Sequence, residues 1–126
     1  MLFPPAIVAP APQEAGLTSW YGPHHAGKPT ASGALFDPAK LTCAHKRLKF
    51  GTRLEVFCPG TGKTVQVIVT DRGPYIDGRI LDLSQKAAQD LGIEQKGVAW
   101  IVFKILPSSQ QGSPNPNRKP LKPASP

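Results

Sequence analysis

Three side chains with acid–base capacity stand in distinctive local contexts. Asp71 sits in Thr70-Asp71-Arg72-Gly73-Pro74, Asp82 in Arg79-Ile80-Leu81-Asp82-Leu83-Ser84, and His45 in Thr42-Cys43-Ala44-His45. A carboxyl delivered by a strand end into a rigid Gly-Pro turn is positioned to give or take a proton. Asp71-Arg72-Gly73-Pro74 also fits an Asx turn or an Asp71–Arg72 pair that merely ends the strand. Asp82 precedes Ser84, so its ordinary role would be to support a helix N-terminus, a contribution of about 0.3–1 kcal/mol. His45 lies among Lys46, Arg47 and Lys49, and a lone histidine there is ordinarily a surface or satisfied residue. The pair Trp20-Tyr21 either stacks on sugar faces or fills a core. His24-His25 are adjacent and lack metal-ligand spacing, so neither a metal nor a cofactor is expected.

These residues need elements to hold them. Thr52–Val56 alternates polar and apolar, Cys58–Gly62 reads as a turn, and Thr64–Thr70 resumes β-branched alternation, which together predict a hairpin. Leu17–Tyr21 predicts a first strand and Arg79–Leu83 another, and Gly97–Ile105 is the longest predicted apolar strand. One segment reads as a helix: Ser84 suits the N-cap, Ala87, Ala88 and Leu91 form an apolar stripe, and Gly92 suits the position after the last turn. Several short strands with one short helix predict a small barrel, in which closure removes exposed edges.

Composition separates this unit from its ends. The 126-residue chain carries 15 prolines and 12 glycines, yet 40% of its residues are hydrophobic. Four prolines fall in the first twelve residues and six in the last twenty, leaving five between. The expected organisation is a flexible leader over 1–14, one folded domain over 15–106 and a disordered, basic, Pro-rich tail over 107–126. So much proline excludes a coiled coil or helical bundle, and no apolar run approaches the ~18 residues of a membrane span. The start, MLFPPAIVAPAP, lacks the basic n-region of an export signal and breaks its apolar run with prolines. Fifteen Lys+Arg against eight Asp+Glu give a net charge of +7, which favours an anionic partner. No nucleic-acid-binding signature accompanies it. Cys43 and Cys58 are the two cysteines. A disulfide between them is expected, worth roughly 3 kcal/mol in the loop-entropy picture; two buried thiols are the alternative.

Taken in order, the motifs resemble one family. Gly16-Leu17-Thr18-Ser19-Trp20-Tyr21-Gly22 resembles G-x-A-S-W-Y-G, and Thr30-Ala31-Ser32-Gly33 with Phe36-Asp37 resembles T-A-S/N-G-E-x-F/Y-D. Leu41-Thr42-Cys43-Ala44-His45 with Leu48 and Phe50-Gly51-Thr52 resembles L-T-A-A-H-x-x-L-P-F-G-T. Thr70–Pro74 resembles N-D-R-G-P, and Gly78–Ser84 with Ala87-Ala88 resembles G-R-x-I-D-L-S-x-x-A-A. These are motifs of the rare lipoprotein A-like double-psi β-barrels, matched from about Gly16 to Ile105.

The resemblance implies a mainly β fold, a six-stranded double-psi barrel with one short helix, in the periplasm or secreted at the bacterial cell envelope. It implies a monomer that binds peptidoglycan glycan strands and cleaves peptide-free ones as an endolytic lytic transglycosylase, leaving 1,6-anhydro ends. By resemblance Asp71 is the acid/base, His45 orients it or stabilises charge, and Arg72 binds a lactyl carboxylate, with Trp20, Tyr21 and Asp82 also on the substrate. The family glutamate of S-G-E is replaced by Ala34, and a methyl can neither carry a proton nor accept a hydrogen bond. A non-catalytic, expansin-like glycan-binding module is the alternative.

Overall fold

The computed structural model describes residues 13–107. Within them lie β1 (Gln13–Trp20), a short 3-10 turn (Pro23–His25), β2 (Thr42–Ala44), β3 (Arg53–Cys58), β4 (Lys63–Asp71), β5 (Arg79–Leu83), α1 (Gln85–Leu91) and β6 (Ala99–Ile105). The strands close into a barrel in the order β1-β5-β2-β4-β3-β6. Two pairs, β1–β5 and β2–β4, run parallel, and the other neighbours run antiparallel. This is the six-stranded double-psi β-barrel expected from the motifs.

Alternation makes the core. Along β3, Leu54, Val56 and Cys58 point inward; along β4, Val65, Val67 and Val69; along β6, Ala99, Ile101 and Phe103. Leu81 and Leu83 of β5 and Ala87, Ala88 and Leu91 of α1 complete one cluster. The predicted hairpin forms, with Arg53 to Cys58 registered against Ile68 to Lys63. The longest strand is β4 at nine residues, whereas β6 has seven and begins at Ala99. Gly97 stays outside β6 at φ +83°, a conformation that does not continue a strand.

The helix ends match the sequence reading. The Ser84 side chain accepts from the Ala87 amide, and Gly92 takes a left-handed φ of 76° as its amide closes onto the last carbonyls. Gly16 is required for a different reason: a Cβ there would lie 2.8 Å from Ile80 Cγ2.

Two residues assigned to the leader belong to the barrel. Gln13 and Glu14 open β1, opposite Lys104 and Phe103 of β6. The rest of the expected leader and nearly all of the expected tail lie outside the described residues. No helix among the described residues is long and apolar enough to cross a membrane.

The disulfide expectation is corrected. Cys43 and Cys58 are free, buried thiols. Cys43 pairs with Val69 near one end of β4, and Cys58 with Lys63 at the other. Six residues of strand separate those positions by about 20 Å, while a bridge needs Cα atoms within roughly 7 Å.

Two measurements test this architecture. Ser84→Ala removes the acceptor for Ala87 N and should lower unfolding free energy by about 1 kcal/mol in urea titration; an unshifted midpoint would show the cap to be idle. A thiol-reactive chromophore should count two thiols in denaturant and almost none in buffer, with or without prior reductant. A count that rises only after reduction would restore the bridge.

Candidate active site

Asp71 ends β4, where Arg72, Gly73 and Pro74 turn the chain away, with Gly73 at φ +120°. Its carboxylate gathers three donors from three parts of the chain. Oδ1 accepts from the amides of Ala31 at 2.9 Å and Arg72 at 2.8 Å, and Oδ2 accepts from the Tyr21 hydroxyl at 2.7 Å. Every one of these contacts is a donor facing a carboxylate, the arrangement an ionised acid requires.

The Ala31 amide is offered by a tight turn. Thr30 donates to the Ala34 carbonyl from both its amide (2.8 Å) and its hydroxyl (2.7 Å), and Gly33 at φ +92° closes back on Thr30. Ser32 donates its amide to Thr70 O at 3.2 Å. The turn bearing Ala34 is thus pinned to the two residues at the end of β4.

Tyr21 follows β1 and is fixed by ring contacts, stacked on Phe36 at 4.9 Å and edge-on to His25 at 5.1 Å. Burial first, then the hydrogen bond and charge of Asp71, push its hydroxyl far above the ordinary tyrosine range. Tyr21 therefore stays protonated and stays a donor.

Asp82 lies on β5, beside β1 and β2, and accepts a short hydrogen bond from the Ser19 hydroxyl. Burial raises its pKa, and the charge of Asp71 pushes the same way; Ser19, Arg79 and His25 only partly oppose this. Asp71, Asp82 and Tyr21 line one narrow crevice together with Thr30, Phe36, Thr42, Cys43, Thr70 and Ser84. It is too tight to enclose a ligand, so any ligand would meet these groups at its mouth. Cys43 sits in the wall with its thiol pushed up strongly by burial, then by Asp82, so it is held as an inert thiol.

His45 is next to Asp71 but turned from it. Its amide donates to Asp71 O at 3.1 Å. Its ring instead accepts two amides at Nδ1, from Arg47 and Leu48, both at 3.0 Å. With Nδ1 so occupied, the ring proton sits on Nε2, which donates to Glu14 Oε1 at 3.1 Å. The ring edge packs on Phe103, and His45 does not line the crevice. Its part in the site is to shape the loop that follows β2.

Arg72, in the turn beyond β4, braces that loop. Its Nη1 donates to His45 O (3.3 Å) and Leu48 O (2.8 Å), and its guanidinium lies 4.0 Å from the centre of the Phe50 ring. Trp20 donates its indole N–H to Glu94 O and packs against the core. Of the sequence-predicted residues, the crevice unites Asp71, Asp82, Tyr21 and Cys43; His45, Arg72 and Trp20 do not line it.

Glu14, Ser19 and the Ala31 amide were not singled out from the sequence. Glu14 was placed in the leader, and Ser19 lay inside a motif with no sign of its facing Asp82. A backbone amide carries no side-chain signature at all. Among the described residues, no three His, Cys, Asp or Glu side chains gather as a metal site.

The family model described as lytic transglycolase matches residues 13–103. A probable endolytic peptidoglycan transglycosylase RlpA from Synechocystis is 44% identical over 91 residues, covering 72% of this chain and 28% of its own length. The endolytic peptidoglycan transglycosylase RlpA of Vibrio cholerae is 38% identical over 106 residues, covering 84% and 40%. The chain thus spans well under half the length of these relatives. Among solved structures, the Streptomyces papain inhibitor aligns with a TM-score of 0.63 at 24% identity, covering 76% of this chain and 96% of its own. The apo Clavibacter expansin aligns with a TM-score of 0.56 at 22% identity, covering 76% and 51%. At that identity these two speak for the fold alone.

The His45 strut yields a prediction. His45→Ala leaves the Arg47 and Leu48 amides without their acceptor and should cost about 2 kcal/mol of stability, read by urea unfolding. Glu14→Ala, which keeps both amide contacts, should cost less than half as much. Equal losses would show that the Glu14 contact, not the amide pair, holds the loop.

Proposed function

This chain belongs to the lytic transglycolase family, and from that membership we propose that it cleaves peptide-free peptidoglycan glycan strands to 1,6-anhydro products, at the cell envelope. The observation that carries the proposal is the pair of carboxyls in one crevice with opposed surroundings. Asp71 has three donors on its carboxylate; Asp82 is partly buried, and burial, with the charge of Asp71 adding to it, raises its pKa and so favours its proton-carrying form.

This division moves the acid/base role, expected of Asp71 by resemblance, to Asp82, and the chemistry follows from it. The Asp82 carboxyl gives its proton to the oxygen linking N-acetylmuramic acid C1 to the next sugar, and the C1–O bond breaks. Positive charge spreads over C1 and the ring oxygen, where ionised Asp71 favours it. The C6 hydroxyl of the same sugar then bonds to C1 and returns its proton to Asp82. No water is consumed, and both carboxyls end as they began. Tyr21, fixed as a donor, keeps Asp71 aimed. Ala34 supplies no third acid, so the proton cycle closes on Asp82.

A glycan-binding reading without catalysis draws on one observation: position 34 holds alanine where the family motif has glutamate. The two readings part in one assay. Incubation with peptide-free strands should yield 1,6-anhydro ends by mass spectrometry. Asp82→Asn and Asp71→Asn should each lower the yield by about 10²-fold or more, whereas Ala34→Glu should leave product formation measurable. Strand binding with no anhydro product from the native protein would favour the binding module.

The pH dependence has a defined sign. Cleavage needs protonated Asp82, so the rate should fall as pH rises through its folded pKa. That value lies above the ordinary 3.8, so between the two the folded state binds more protons than the unfolded. The associated stability is complete below the unfolded value and is lost as pH rises through the folded one. Asp82→Asn removes this titration. The variant should be inactive yet at least as stable as the native protein at neutral pH, by thermal unfolding. An Asp82→Asn protein markedly less stable at neutral pH would mean that folding lowers this pKa, contrary to the burial argument.

A further inference from the structure

The loop after β2 holds three cations in four positions. Lys46, Arg47 and Lys49 are all exposed. Among the described residues no acid pairs with any of them; the ion pairs there join other residues. An isolated run of exposed lysines would be an ordinary solvated surface. This loop differs in being rigidly built. His45 takes the amides of Arg47 and Leu48 on one ring nitrogen, and Arg72 holds the carbonyls of His45 and Leu48 from the other side. Arg72 is in turn seated on Phe50, and Glu14 holds the far side of the His45 ring. A histidine and an arginine at the core of the loop are thus spent on its shape, while its unpaired charges face solvent.

Its position is equally specific. Ala44 pairs with Asp71 in the β2–β4 ladder, and the next residue donates its amide to Asp71 O. The cationic loop therefore starts at the strand end that carries Asp71. The Arg72 guanidinium, expected to bind a lactyl carboxylate, is engaged with loop carbonyls at Nη1.

We propose that Lys46, Arg47 and Lys49 form the subsite that recognises the lactyl carboxylates of a peptide-free glycan strand lying across the crevice. The proposal rests on the glycan reading of the site and names its selectivity filter. Removing the stem peptide leaves one free carboxylate on each muramic acid. When the peptide is attached, that carboxyl is an amide and offers these cations no charge. Preference for stripped strands then comes from charge complementarity at fixed positions, with little ordering cost in the loop.

Binding separates this proposal from cleavage. The probes are peptide-free glycan strands and chitooligosaccharides, which share the N-acetylglucosamine backbone but carry no carboxylate. Lys46→Gln/Arg47→Gln/Lys49→Gln should weaken strand binding about tenfold at low salt, the sum of three exposed charge contacts. The native advantage should shrink in 0.5 M salt, a condition of about 4 Å screening length. Chitooligosaccharide binding should be the same for both proteins. The charge-conserving Lys46→Arg/Arg47→Lys/Lys49→Arg should bind strands close to the native level, and thermal unfolding of all three proteins should agree. Unchanged strand binding in the Gln variant overturns the proposal, as does an equal loss on chitooligosaccharides. Equal native affinity for strands and for a polyphosphate of matched length would overturn the carboxylate assignment. Salt-sensitive strand binding without anhydro products would sink the cleavage reading and leave this one standing.

Discussion

The site depends on the clasp around the Asp71 carboxylate. Tyr21 reaches it from the end of β1, Ala31 from the long connection before β2, and Arg72 from the turn beyond β4. These residues lie up to 50 positions from Asp71 in the chain, and hydrogen bonds to a charged group are about twice as strong as neutral ones. The barrel makes the meeting possible. Parallel pairing of β1 with β5 and of β2 with β4 forces crossovers that bring chain ends from distant segments to one mouth. Closing the sheet also seals Leu81, Leu83, Val69 and Ile101 inside, so the strand ends that carry the acids rest on a packed core.

The Asp71 carboxylate also bears on its neighbours. Tyr21 stays protonated because burial and the adjacent charge both oppose its ionisation. Asp82, buried and facing the same charge, is pushed toward its neutral form although Ser19 donates to it. Burial is the first cause for both groups, and the adjacent carboxylate adds to it. Burial likewise comes first for Cys43, with Asp82 adding to it.

Much of this was legible in the sequence, and what was not has a common cause. Alternation in Thr64–Thr70 and the turn at Cys58–Gly62 marked the hairpin, while Ser84 and Gly92 marked the helix ends because capping is local chemistry. The motifs around Asp71 and Asp82 marked the acids. The strand order was not legible: periodicity places a residue on a face but does not say which strands become neighbours. The cysteines looked pairable at fifteen positions apart, yet β4 keeps them at its opposite ends. Glu14 looked like leader because prolines dominate the residues before it, and only pairing with β6 shows it as strand. His45 was readable as a residue type but not as an orientation, which two loop amides decide.

The alanine at position 34 takes on a narrower meaning in this setting. The turn that contains it grips the end of β4 through the amides of Ala31 and Ser32, and closes on itself through the Ala34 carbonyl. Each of these contacts is made by backbone, with only the Thr30 hydroxyl assisting, so the residue type at 34 does not decide whether Asp71 is held. A glutamate there would add a negative charge near the mouth of the crevice; alanine removes that charge and leaves the clasp in place. The substitution therefore acts on the electrostatics of the site and not on its architecture. Asp71 keeps its donors, and Asp82 keeps both its burial and the charge that faces it. Position 34 thus tunes the field around the two carboxyls, while the barrel fixes where they stand.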